Sequence, residues 1–203
     1  TGATTVTAPL TTTAGSGGTV TVTHGGLLTL AAAGDISADG AVTQAGAGAV
    51  STAGDITTTN DAVSLATAVT LTGPVAITTG AGAGDITVAS TLDGGQALTL
   101  TAGTGNVLVS GAVGSTTPLA SLTVASATDT TFAGATLATT GALSLSGTGT
   151  TTLTSVGTIG GAETVSAGTL LVNGAQTVTG ALAYTTTGAT TVTAPLTTTA
   201  GSG

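Results

Sequence analysis

Hydrophobic and polar residues alternate along most of this chain. Residues 18–26, GTVTVTHGG, place two valines on one side of an extended backbone and three threonines on the other. The segments QALTLTAG, ALSLSG and ASLTVAS show the same alternation. A period of two residues with many β-branched side chains is typical of β-strands, and no helical period persists for more than a few residues. The pattern therefore predicts an all-β chain with many strands of about four to six residues.

A short GDI motif recurs through the first half of the chain. It occupies Gly34–Ile36, Gly54–Ile56 and Gly84–Ile86, and the related GNV occupies Gly105–Val107, in steps of 20, 30 and 21 residues. This spacing predicts a parallel β-helix, or β-solenoid, whose coils of about 20 residues stack about 4.8 Å apart. The 30-residue step is expected to contain a loop around Pro74, because the segment holds a proline and several glycines.

The predicted core consists of small aliphatic side chains, which suit a narrow solenoid because aromatic residues are only 1% of the chain. Tandem β-sandwich domains are the alternative fold, but sandwiches usually pack aromatic residues in a larger core. The threonines beside the core positions, such as Thr19, Thr21 and Thr23, are predicted to face outward. The positions predicted to face inward are Val20, Val22, Leu28, Leu30, Ile36, Ile56, Ile86, Leu98, Leu100, Val107, Leu122 and Val124.

The first seventeen residues, TGATTVTAPLTTTAGSG, recur without mismatch at residues 187–203, an offset of 186 residues. Fixed-period self-similarity favours a solenoid or an array. Residues 1–186 are therefore interpreted as one full solenoid unit, and residues 187–203 as the start of the next identical unit of a longer array. Pro9 and its copy Pro195 are expected to occupy the same turn or strand start, where a missing N–H costs no ladder bond. One unit of roughly nine coils is expected to rise on the order of 43 Å.

The charge composition argues against several classes of function. The chain has no Lys or Arg, eight acidic residues and a formal net charge of −8. Nucleic acid is therefore a poor partner, because phosphate binding depends on basic side chains. The absence of Cys excludes disulfides and Fe–S clusters. No membrane insertion is expected, because no apolar run approaches the ~18 residues of a membrane helix.

The segment Gly84–Phe132, GDITVASTLDGGQALTLTAGTGNVLVSGAVGSTTPLASLTVASATDTTF, resembles the repeats of giant secreted bacterial proteins of the filamentous-haemagglutinin-like, β-strand-repeat adhesin family. The run Gly111–Val124 is its most family-like part, and the same texture covers most of the chain. The resemblance implies a right-handed parallel β-helix, secreted or held at the bacterial cell surface. It brings no catalytic residues to carry over.

His24 is the single histidine of the chain. A catalytic triad would place it beside a nucleophile and a carboxylate, but the sequence has no GxSxG elbow and no acid close to His24. His24 is therefore predicted to be an exposed corner residue before Gly25 and Gly26. No catalytic or cofactor-binding residues are expected, and the protein is not expected to be an enzyme.

Three acids, Asp35, Asp55 and Asp85, share the middle position of the GDI motif. If they stack in one column, with Asn106 as its neutral end, their charges come close together. A weak calcium site at Asp35, Asp39, Asp55 and Asp85 is one hypothesis, because calcium binds carboxylate and carbonyl oxygens. The favoured interpretation is that each Asp accepts backbone N–H bonds at a turn and faces water, because neither an EF-hand loop nor a GGxGxD repeat is present.

These features favour a structural function. The chain is interpreted as a repeat module of a long extracellular bacterial β-solenoid filament, sheath or surface fibre. Its expected partners are identical units stacked end to end, with lateral contacts between filaments. The alternative is the stalk or binding surface of a giant adhesin, with an unknown receptor. Ice binding by threonine ladders is a minor alternative, because a regular TxT pattern does not recur once per coil.

Overall fold

The computed structural model describes residues 2–13, 15 and 17–199, and these residues form 27 short β-strands and no helix. The first nine strands are β1 (Thr4–Val6), β2 (Leu10–Thr11), β3 (Val20–His24), β4 (Leu28–Leu30), β5 (Ile36–Ala38), β6 (Val42–Gly46), β7 (Val50–Thr52), β8 (Ile56–Thr58) and β9 (Val63–Leu65). The next nine are β10 (Val69–Leu71), β11 (Val75–Thr78), β12 (Ile86–Val88), β13 (Leu92–Asp93), β14 (Ala97–Thr101), β15 (Val107–Val109), β16 (Ser121–Ser126), β17 (Thr130–Phe132) and β18 (Thr136–Thr139). The last nine are β19 (Leu143–Ser146), β20 (Thr150–Leu153), β21 (Val156–Ile159), β22 (Glu163–Ala167), β23 (Thr169–Val172), β24 (Gln176–Val178), β25 (Leu182–Thr186), β26 (Thr190–Val192) and β27 (Leu196–Thr198).

Parallel pairing arranges these strands on three faces of a solenoid. Face A contains β1, β4, β7, β10 and β13, followed by β18, β21, β24 and β27. Face B contains β2, β5, β8, β11, β14, β16, β19, β22 and β25, and face C contains β3, β6, β9, β12, β15, β17, β20, β23 and β26. Each coil of the chain passes through faces A, B and C in that order. In the sixth coil face A is formed by isolated bridges instead of a strand: Val113 bridges Leu92 and Leu137, and Leu119 bridges Thr139.

Successive coils pair in parallel, and the register within a strand pair is continuous except for one shift between β14 and β16 after Leu100. Paired residues are separated by as few as 19 positions (Val50 and Val69) and by as many as 26 (Leu10 and Ile36). Backbone hydrogen bonds join the coils, as where the Ile36 N–H donates to the Asp55 carbonyl oxygen at 2.9 Å. The predicted parallel β-solenoid is confirmed, while its handedness stays a prediction.

Aliphatic side chains fill the interior, each packed against its equivalents in the coils above and below. One column on face C runs through Val42, Val63, Ile86 and Val107, all at most 2% exposed. The predicted inward positions are confirmed as buried, except that Val22 is only partly buried against the core. The threonines that alternate with the first core positions are exposed, as predicted: Thr19, Thr21 and Thr23.

The 30-residue step between the second and third GDI motifs is not an insertion. Asp55 directly precedes β8 on face B, whereas Asp85 directly precedes β12 on face C. The step therefore covers one full coil and then one further face. The loop is not at Pro74, because Gly73 and Pro74 form the short corner between β10 and β11, and the glycine-rich residues 79–85 between β11 and β12 are the longest part of the segment outside the strands.

The glycine of each GDI motif lies where successive coils approach closely. A Cβ atom on Gly105 would overlap the carbonyl oxygen of Gly84, and one on Gly54 would lie 2.9 Å from the carbonyl oxygen of Gly34. Neither Gly54 nor Gly105 has a positive φ. Close packing of one corner on the next, rather than a left-handed backbone, therefore requires glycine at these two positions.

The two copies of the seventeen-residue repeat form strands at the same sequence positions. The first copy contains β1 and β2, and the second contains β26 and β27. Pro9 and Pro195 each directly precede a strand, as predicted. The copies lie on different faces, however, because β1 is on face A whereas its copy β26 is on face C.

Candidate functional site

Aspartates at one corner form a short ladder between coils. The Asp55 N–H donates to Asp35 Oδ1 at 2.8 Å, and the Ala76 N–H donates to Asp55 Oδ1 at 2.7 Å. Each carboxylate therefore accepts a backbone bond from the equivalent residue of the next coil. The ladder carries inter-coil hydrogen bonding from the strands into the corner, where strand pairing has not yet begun.

A second ladder lies before face C. Asp85 Oδ1 accepts from the Asn106 N–H at 2.7 Å, and Asn106 Oδ1 accepts from the Asp129 N–H at 3.1 Å. Asp129 Oδ1 then accepts from the Thr150 N–H at 2.6 Å. Asn106 stands between two aspartates in this column, so their carboxylates are separated by one neutral coil.

The assignment of all three GDI aspartates to one column is therefore wrong. Asp35 and Asp55 share a column before face B, and Asp85 lies before face C because the chain has advanced by one extra face. Asp39 lies after β5, and its Oδ2 accepts from the Gly17 N–H at 2.7 Å. Asn106 follows Asp85 but does not end its column, because Asp129 comes next.

The structure thus brings together only two of the four residues assigned to calcium. Within residues 2–13, 15 and 17–199, no group of three or more His, Asp or Glu side chains is placed to hold a metal ion. One surface depression of about 350 Å³ contains Asp39, and another of about 230 Å³ contains Asp55. Neither depression is lined by a second carboxylate. The calcium site stays a prediction, and Asp35 with Asp55 is the pair on which it depends.

His24 is not the exposed corner residue that the sequence predicted, because it is only 2% exposed. Its Nδ1–H donates to the Gly26 carbonyl oxygen at 2.6 Å, which leaves Nε2 to accept from Gln44 Nε2 at 2.7 Å. Gln44 Oε1 in turn accepts from the Ala66 N–H at 2.9 Å. A neutral imidazole with its proton on Nδ1 satisfies every partner, so this pair links three consecutive coils inside the core.

A second polar pair on face B joins the buried Glu163 to the half-buried Tyr184. Glu163 is fully buried between Leu143 and Leu182 in the neighbouring coils. The Tyr184 hydroxyl donates to Glu163 Oε1 at 2.8 Å. Burial raises the pKa of Glu163, although the bond from Tyr184 lowers it in part. Burial and the nearby Glu163 likewise raise the pKa of Tyr184.

The other oxygen of this carboxyl, Glu163 Oε2, has no hydrogen-bond partner among the described residues. Gln176 Oε1 and Thr130 Oγ1 are in the same situation. Gln176 Nε2 donates to the carbonyl oxygens of Ser155 at 3.0 Å and Gly174 at 2.9 Å. Its Oε1 fills the space above Gly157, where a Cβ atom would overlap it.

The sequence contained a signal for these buried polar residues. His24 follows Val20 and Val22 at alternate positions, Gln44 follows Val42, and Glu163 precedes Val165. A strict period of two therefore places each of them in an inward row. Gln44 and Glu163 were not predicted to be buried because their side chains are polar. His24 was predicted to be exposed because the glycines that follow it are typical of a corner.

Outward hydroxyl groups also form rows from coil to coil. On face C the row contains Thr21, Thr43, Ser64 and Thr87, after which Leu108 interrupts it. A row of this kind is a single line of hydroxyls, and the paired TxT pattern of β3 does not continue into β6 or β9. No observation on the described residues favours ice binding, which stays a prediction.

In comparisons with known proteins, no protein-family model matches the chain, and no curated protein and no solved structure matches it. The likeness to filamentous-haemagglutinin-like repeats therefore stays a resemblance in sequence pattern. Residues 2–13, 15 and 17–199 contain no helix that is long and apolar enough to cross a membrane.

Proposed function

We propose that this chain is a structural repeat module of a long extracellular bacterial β-solenoid fibre. The observation that carries the proposal is that strand pairing runs through every coil to β26 and β27, whose sequences copy those of β1 and β2. An edge strand presents unpaired N–H and C=O groups that another strand can complete. A following unit would complete the edges of the last coil, as each coil here completes the one before it.

The composition supports an extended, passive role. The chain has no Lys or Arg, so trypsin has no cleavage site in it. Its core is built from columns of Val, Leu and Ile that any coil can continue. The aspartate ladders use carboxylates as acceptors for backbone N–H groups, which gives these charges a structural role. A giant adhesin stalk would use the same module, and a distinct tip domain in the same gene would favour that version.

Arrays of one, two and four 186-residue units test the proposal. Each added unit should lengthen a straight rod by about 42 Å, because eight to nine coils rise about 4.8 Å each. Negative-stain electron microscopy measures the increment, and sedimentation reports the frictional ratio. Separate beads joined by flexible segments, or a rod whose length does not scale with unit number, would contradict a continuous fibre.

The two end coils of the 203-residue protein give an independent test. Within the described residues, β1–β3 at one end and β25–β27 at the other each leave one edge unpaired, so the protein should associate end to end as its concentration rises. Sedimentation velocity across a wide concentration range measures this association. A protein that remains monomeric at millimolar concentration would argue for capped ends and against fibre growth.

A further inference from the structure

The last coil of the solenoid leaves three strand edges without a following partner within the described residues: β25 on face B, β26 on face C and β27 on face A. Val192 of β26 is 42% exposed and Leu196 of β27 is 38% exposed. Their sequence copies in the first coil, Val6 and Leu10, pair with Leu30 and Ile36 of the second coil. In the first coil, the partners of these two strands are therefore supplied by residues that follow position 17.

The two copies of the repeat do not lie on the same face, and the difference can be counted. From β1 to β26 the chain advances by 26 face positions, when the face-A position of Val113 and Leu119 in the sixth coil is included. Three positions make one coil. A unit of 186 residues therefore contains eight and two-thirds coils, and the next unit begins one-third of a coil short of where the first began.

We infer that the partner of this edge is a second copy of the unit rotated by one face, so that an array repeats only after three units. Each successive unit would place its copy of β1 on face A, then C, then B, and then A again. Three units contain 26 whole coils, which rise about 125 Å. This inference rests on the proposed fibre function and adds its symmetry, a threefold screw.

Strand lengths at the junction agree with this arrangement. The next strand on face B would be a copy of β3, which has five residues, as does β25. The next strand on face C would be a copy of β4, which is the strand that β1 pairs with here. The edges of β25 and β26 therefore meet strands of matching length, five residues and three residues.

The screw also distributes the acidic ladders around the fibre. Asp35 and Asp55 lie before face B in this unit, so their copies would lie before face A in the next unit and before face C in the third. All three sides of the fibre would then carry the same groups. Lateral contacts between fibres would consequently be equivalent on all three sides, with an axial offset of about 42 Å between sides.

Single cysteines can report the face of each unit, because the chain contains none of its own. Thr70→Cys is suitable, since Thr70 is exposed in the middle of a face-A strand and far from the junction. In a four-unit array, this cysteine is introduced into units 1 and 2, or into units 1 and 4, and labelled with maleimide gold for cryo-electron microscopy. The matched control carries Thr70→Cys and Thr177→Cys in one unit, where both residues face outward on face A.

The control pair measures how far one face rotates per coil. This rotation is then subtracted from the angle measured between labels in different units. Labels in units 1 and 2 should differ by about a third of a revolution and about 42 Å, and labels in units 1 and 4 should share a face about 125 Å apart. Labels that share a face in units 1 and 2 would mean that each unit makes whole coils, which overturns the screw while the fibre remains. Arrays that form no continuous rod would instead overturn the proposed function.

Discussion

Two polar pairs pack against the same aliphatic core, one near each end of the unit, and they differ in how many of their polar atoms have hydrogen-bond partners. His24 and Gln44 have a partner for each nitrogen and oxygen, and Gln44 also accepts a backbone N–H from the following coil. Glu163 has only the Tyr184 hydroxyl, which leaves Oε2 without a partner among the described residues. The first pair can fix the register of three coils, whereas the second imposes a cost that depends on pH.

Glycine corners explain why the first pair fits. A Cβ atom on Gly48 would overlap the Gly26 carbonyl oxygen and lie 2.7 Å from His24 Nδ1. The imidazole therefore occupies space that exists only because the following coil has no side chain there. Glu163 lies instead in a column between two leucines.

The largest effect is expected from filling the His24 corner. Gly48→Ala should lower the free energy of unfolding by about 3 kcal/mol, because the backbone of the preceding coil must move away. Gly95→Ala is the matched control: its Cβ would meet Thr117 at an ordinary 3.7 Å, and its φ is not positive. Urea denaturation followed by circular dichroism measures both. Equal stability of the two variants would mean that the corner is looser than the structure indicates.

Removing the amide of the satisfied pair should have the next largest effect. Gln44→Leu leaves the His24 ring and the Ala66 N–H without this partner inside the core, which should cost about 2–3 kcal/mol. Gln96→Leu, at a half-exposed position, should change stability by less than about 0.5 kcal/mol. If the double variant His24→Leu/Gln44→Leu showed simply additive losses, the two side chains would not act as a pair.

A substitution in the unsatisfied pair should raise the stability of the protein instead of lowering it. The pKa of Glu163 is raised in the folded protein above its ordinary value of 4.5, so folding favours the protonated form. The stability that Glu163 contributes is fully present below pH 4.5 and is lost as the pH rises through the folded-state pKa. Glu163→Gln should therefore raise stability at pH 7.5 by about 1–3 kcal/mol and have little effect at pH 4.

Urea midpoints at several pH values between 4 and 8 measure this dependence. Asp61→Asn removes an exposed charge on a corner and should keep the wild-type slope, which makes it the control. If the wild type and Glu163→Gln were equally stable at pH 4.5 and also at pH 7.5, the buried carboxyl would be satisfied by groups outside the described contacts.

The smallest effect concerns the aspartate ladder. Asp55→Asn keeps an oxygen acceptor for the Ala76 N–H but removes the repulsion with Asp35, so stability at low salt should rise by a few tenths of a kcal/mol. The gain should vanish at about 1 M salt because of screening. Thermal melts with and without calcium also test the metal hypothesis. Calcium should stabilise the wild type and not Asp55→Asn if the pair binds it, and equal responses would remove that site.

The alternation of side chains was enough to predict the fold, the core columns and the outward threonines. It could not fix which face each motif occupies, because the GDI glycine is required at any close-packed corner. Asp55 and Asp85 consequently looked equivalent although they lie on different faces. The buried positions of His24, Gln44 and Glu163 also followed from the period of two, but residue polarity argued for the surface. Only the stacking of coils shows which polar groups meet inside.

X-ray diffraction from aligned arrays tests the solenoid most directly. Strands that stack along the fibre place the 4.8 Å spacing of neighbouring strands on the meridian, parallel to the fibre axis. Tandem sandwich domains would have strands running mostly along the chain of domains, which places that spacing on the equator. The account predicts a strong meridional reflection at about 4.8 Å, and an equatorial reflection at that spacing would contradict it.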